Sequence, residues 1–124
     1  MPRSVIVLSS DPHLFDNVRA LLGPDPRFID AGHAVHCDGS VSPLTNIYPV
    51  EADALEWGSW DAGASEVPDP AKSSLLIFES RSPEWIAEVG KVLAQGLTAR
   101  VWIVDSADTA WPAPQVDPAQ VALA

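Results

Sequence analysis

Two continuous apolar runs flanking one helical stripe dominate the hydrophobic pattern of this chain. Residues 75–78 (LLIF) and 101–104 (VWIV) show no polar alternation, as expected of strands covered on both faces. Between them, Ser82 offers an N-cap hydroxyl, and Pro83 stands at the first helical position, where a missing N–H costs nothing. Trp85, Ile86, Val89, Val92 and Leu93 recur at three- and four-residue intervals and form one apolar stripe. Glu84 complements the positive end of this helix and Lys91 the negative end. Gly96 reads as its terminator, and Gly90 as a point of close approach to the sheet. The pattern predicts a βαβ unit over residues 75–104, with parallel strands and a right-handed crossover.

The N-terminal part shows a strand and then a helix in the same way. Residues 4–8 (SVIVL) form an apolar strand, and Asp11-Pro12 repeats the cap-plus-proline start. Leu14, Phe15, Val18, Leu21 and Leu22 then make the buried stripe, which Gly23-Pro24 ends. Phe28 and Ile29 begin a further short strand. Over residues 33–50 the alternation of His33, Val35 and Cys37 with their neighbours, the Asp38-Gly39 turn and the return at 44–48 predict a hairpin. Residues 109–111 read as a short antiparallel return from 101–104, ended by Pro112 and Pro114. Asp117-Pro118 opens at most one or two helical turns. The expected architecture is α/β, a mixed β-sheet built from an N-terminal strand-helix unit, a central hairpin and a C-terminal βαβ unit with a short antiparallel return strand. A single domain spanning 1–124 is expected, with an acidic, Trp-containing loop at about 51–72.

Composition narrows the classes of function. A chain of 124 residues that is 47% hydrophobic can bury a core. The lone Cys37 excludes an internal disulfide framework and suits a reducing compartment. No apolar run approaches the ~20 residues needed to cross a bilayer. The early run at 5–8 is too soon broken by Ser9, Ser10 and Asp11 for a secretory signal, so a cytoplasmic location without membrane contact is expected. The formal net charge is -10, from 17 acidic and 7 basic residues. The bases (Arg3, Arg19, Arg27, Lys72, Arg81, Lys91, Arg100) are scattered, so such a surface repels a phosphate backbone and nucleic acid is not an expected partner. It suits a basic protein instead.

The acidity concentrates after the hairpin. Glu51, Asp53, Glu56, Asp61, Glu66 and Asp69 precede the first base, Lys72, and enclose the pair Trp57 and Trp60. Tryptophan is enriched among binding hot spots, and flanking carboxylates steer a basic partner. The expected partner-binding residues are therefore Trp57, Trp60, Glu51, Asp53, Glu56 and Asp61. Glycine-rich phosphate loops, HExxH and GxSxG are missing, so no cofactor, metal or catalytic residue is expected. His33, His36, Cys37 and Asp38 do not converge on a strand, because His33 and Cys37 face one way and His36 and Asp38 the other. If the three strands at 4–8, 75–78 and 101–104 were all parallel, Ser9, Ser10, Asp11, Glu79, Ser80, Asp105 and Asp108 would gather at one edge and could hold magnesium. The opening VIVLSSDPHLFDNVRALL resembles the start of a bacterial receiver domain. It differs in having Ser9 and Ser10 where that family carries an acid, and no lysine follows a late strand.

The segments LTNIYPVEADALEWGSWD, LLIFESRSPEWIAEVGKVLA and VWIVDSADTAWPAPQVDP resemble, in style and acidity, the small immunity proteins that bacteria encode beside secreted polymorphic toxins. The resemblance implies a cytoplasmic, non-catalytic inhibitor that binds one cognate toxin domain and covers or distorts its active site. The expectation is thus an immunity-type binding protein. The alternatives are a divergent receiver-like or magnesium-binding signalling domain, and a small enzyme with a deep pocket holding Glu79, Asp105 and His36.

Overall fold

Seven strands form one sheet, in the order β2-β3-β4-β5-β1-β6-β7. Along the chain the elements are β1 (Ser4–Ser9), α1 (Leu14–Leu22), β2 (Ile29–Asp30), β3 (Val35–Cys37), β4 (Thr45–Val50), β5 (Ser74–Glu79), α2 (Pro83–Gly96), β6 (Val101–Val104) and β7 (Ala110–Pro112). A 3-10 turn, Ala113–Gln115, follows. The structure, a computed structural model, describes residues 3–40, 43–51, 73–107 and 109–123. The order of elements is the expected one: strand-helix, hairpin, βαβ, antiparallel return.

The pairing departs from expectation in one respect. β5 and β6 run in the same direction but are not neighbours, because β1 lies between them and is antiparallel to both. Ile6, for example, faces Ile77 on one side and Val104 on the other. Every neighbouring pair in the sheet is antiparallel. The crossover through α2 therefore spans one intervening strand.

Both helices pack on the same face. Val5 and Val7, Leu76 and Phe78, Val101 and Ile103, and Val35, Cys37 and Ile47 meet Leu14, Val18 and Leu22 of α1 and Trp85, Ile86, Val89 and Leu93 of α2. The alternate residues of the same strands point the other way, where Leu8, Leu75 and Trp102 form a second buried cluster with Ile6 and Val50 against it. Three strands apolar on both faces thus occupy the middle of the sheet, as continuous apolar runs require.

Local chemistry sets the helix ends. Ser82 caps α2, its hydroxyl accepting from Trp85 N at 3.2 Å, with Pro83 at the first position. Ser82→Ala should lower stability by about 1 kcal/mol in a urea melt, by leaving the Trp85 N–H without its acceptor. Gly96 is not the terminator: α2 runs through it to an extended Leu97 cap, and a Cβ there would collide with Leu21 of α1. Asp11 does not cap α1 either. The helix begins at Leu14 with His13 at the N-cap, and the Asp11 carboxylate instead accepts from His13 N at 2.9 Å and Asn17 Nδ2 at 2.6 Å. These hydrogen bonds hold its pKa below the usual carboxylate value. At the other end of α1, Arg19 pairs with Asp30 at 3.1 Å and Arg27 with Asp25 at 2.7 Å. Arg27 also lies 5.2 Å over the Trp85 ring, which stacks on Phe28. Asp117 opens a single turn, accepting at its carbonyl from Val121 N at 2.8 Å.

Candidate functional site

The antiparallel placement of β1 decides where the strand-end groups lie. Ser9, Ser10 and Asp11 fall at one end of the sheet, and Glu79, Ser80 and Asp105 at the opposite end. The single carboxylate-rich edge expected from parallel strands is therefore not formed. Ser9 is spent locally, its hydroxyl donating to Arg100 O at 2.9 Å and accepting from Asp11 N. Among the described residues, no group of three or more His, Cys, Asp or Glu side chains is placed to hold a metal ion. Cys37 is buried against the helices while His36 points to the other face, as strand alternation dictates.

Asp105 is a structural carboxylate. It is 5% exposed, and its two oxygens accept from Ala107 N at 2.9 Å, Thr109 N at 3.1 Å, Trp111 Nε1 at 2.9 Å and Ala122 N at 3.0 Å. Those contacts close the β6–β7 turn and tie the C-terminal segment to it. The sequence shows Asp105 as a strand-end carboxylate, a candidate for a magnesium edge or a pocket, and its true partners Trp111 and Ala122 lie too far along the chain to be inferred.

At the end of the sheet where β5 finishes and β1 starts is an open groove of about 1130 Å3. Its walls include Arg3, His36, Asp38, Leu44, Glu79 and Arg81. His36 and Glu79 thus share a cavity, as the small-enzyme alternative required, but Asp105 does not line it. His36, Asn46, Glu79 and Ser4 stand in one register row on the helix-free face. Glu79 accepts from Asn46 Nδ2 at 3.2 Å. One row along, burial raises the Tyr48 phenol above its ordinary pKa, and the Glu79 charge adds to the shift. The Ser80 hydroxyl is buried and accepts from Ser82 N at 3.2 Å. The chemistry the groove offers is recognition, from two guanidiniums, two carboxylates and an apolar wall. Its residues are scattered through the sequence, and strand order alone brings them together.

Of the expected partner-binding residues, Glu51 is exposed immediately after β4. Asp53, Glu56, Trp57, Trp60 and Asp61 lie outside the described residues. Comparison with protein-family models, with curated proteins and with solved structures returns no match. No helix among the described residues is long and apolar enough to cross a membrane.

Proposed function

We propose that this chain is a non-catalytic binding protein, an immunity-type inhibitor acting in the cytoplasm. It captures a basic toxin domain, or another basic protein, through the stretch that holds Glu51, Asp53, Glu56, Trp57, Trp60 and Asp61. The observation that carries the reading is the segregation of charge. From Glu51 to Asp69 the chain holds six acids and no base, in a protein of net charge -10. Three carboxylates elsewhere are engaged within the fold: Asp25 and Asp30 pair with arginines, and Asp105 holds the C-terminal turn. An acidic stretch of this kind raises the encounter rate with a basic surface, and the indoles supply the apolar anchor that charge alone lacks.

The test is a calorimetric titration against the purified product of the neighbouring reading frame, the place where an immunity protein's toxin is encoded. Trp57→Ala should weaken binding about thirtyfold, as for a hot-spot truncation of about 2 kcal/mol. Glu56→Ala should weaken it about threefold, as for a charge on the rim of an interface. Both variants should melt like the parent. Unchanged affinity in both contradicts the reading.

A further inference from the structure

The groove at the end of the sheet plays no part in the reading above, and its chemistry stands independently. Across that end β3, β4, β5 and β1 lie side by side. Asp38 follows β3, Pro43 and Leu44 lead into β4, Arg81 follows β5 and Arg3 precedes β1, and all line the groove. The order across the cavity is therefore Asp38, the apolar Pro43 and Leu44, then Arg81 and Arg3, over about 14 Å at ordinary strand spacing. The Glu79 carboxylate at the arginine end is taken by Asn46 Nδ2.

Two observations separate this arrangement from ordinary surface. Arg19 and Arg27 are ion-paired, and Arg100 lies 4.6 Å over the Trp102 ring. Arg3 and Arg81 are exposed, and their guanidiniums have no such partner among the described residues. Leu44 is 72% exposed, an apolar side chain the fold does not use, and it stands between the two charged ends.

We propose that this groove binds a short apolar peptide with free termini, extended across the strand ends, its carboxylate on Arg3 and Arg81, its side chains on Pro43 and Leu44, and its ammonium toward Asp38. Guanidinium forks match a carboxylate in bidentate geometry. Hydrogen bonds from Ser40 N and Oγ, at 2.9 and 2.6 Å, hold the Asp38 carboxyl below its usual pKa, so it is ionised at neutral pH and faces the ligand as an anion. Asp38 and Glu79 balance the two arginines, which disfavours a polyphosphate and favours a zwitterion. At about 3.4 Å per extended residue, about four residues span the cavity.

The experiment is a 15N-labelled NMR titration of the full chain with the tetrapeptide Gly-Leu-Leu-Ala, its C-terminal amide and its N-acetyl form. The free peptide should produce saturable shifts at the amides of Leu44, Thr45, Ser80 and Arg81. The amide, and separately the double variant Arg3→Gln/Arg81→Gln, should weaken binding about tenfold. The N-acetyl form, and Asp38→Asn, should weaken it about threefold. The arginine variant should melt like the parent, because neither guanidinium has an ion-pair partner among the described residues, and it should capture a basic protein as the parent does. Equal binding of acid and amide, full binding by the arginine variant, or no saturable shift at about 5 mM peptide would each overturn the proposal.

Discussion

Asp105→Asn should destabilise the protein by about 2–4 kcal/mol, although the side chains have the same shape. The carboxylate is surrounded by donors alone: three backbone N–H groups and the Trp111 indole. An asparagine keeps one oxygen and turns an NH2 toward two of those donors. Whichever way it flips, either the turn amides of Ala107 and Thr109 or the pair from Trp111 and Ala122 lose their acceptor. The site is 5% exposed, so water cannot fully replace the lost bonds. A urea denaturation series measures the loss, and the Trp111 indole N–H resonance reports whether the site itself has opened. Parent-like stability would mean that packing of Val116, Val121 and Leu123, with the Ser106 N to Ala122 O hydrogen bond, suffices to hold the C-terminal segment.

Gly90→Ala should also destabilise, by about 2 kcal/mol, and here the sign discriminates between two effects. Helix propensity by itself makes alanine the better residue by about 1 kcal/mol. Packing opposes that gain. A Cβ at Gly90 would collide with the Ala113 carbonyl and stand 3.2 Å from Ile103 Cδ1. The Ala113 oxygen belongs to backbone in the 3-10 turn packed on α2, so it cannot swing aside as a side chain would. Overpacking of this kind costs about 1–3 kcal/mol, and displacement of the turn also loosens Val116, so the packing cost should prevail. A stabilised Gly90→Ala protein would show that the turn is free to move off the helix.

The contrast between these two sites shows what the sequence reveals. Ser82, Pro83 and the stripe from Trp85 to Leu93 were legible because capping and periodicity are local, and α2 forms as they predict. Gly90 was legible as a close approach, yet the nearest partner proved to be the Ala113 turn, with the sheet residue Ile103 beside it. The position of β1 was not legible. Three strands apolar on both faces carry no mark of which lies between the others, and the register of Ile6 with Ile77 and Val104 is a tertiary fact. The same reversal sent Asp11 and Asp105 to opposite ends of the sheet. The groove was equally hidden, since Arg3, the hairpin residues Asp38 and Leu44, and Arg81 come from three widely separated stretches. The acidic, Trp-containing stretch was readable from composition alone, and Glu51 is the one residue of the expected binding set within the described part of the chain.

Stopped-flow association with the product of the neighbouring reading frame, at about 50 and 500 mM salt, tests the proposed capture most directly. The parent chain should associate at least tenfold faster at low salt, and the variant Glu51→Gln/Asp53→Asn/Glu56→Gln/Asp61→Asn should be slow at both concentrations. A parent rate indifferent to salt, or a variant that keeps the parent's salt dependence, would contradict capture through this stretch.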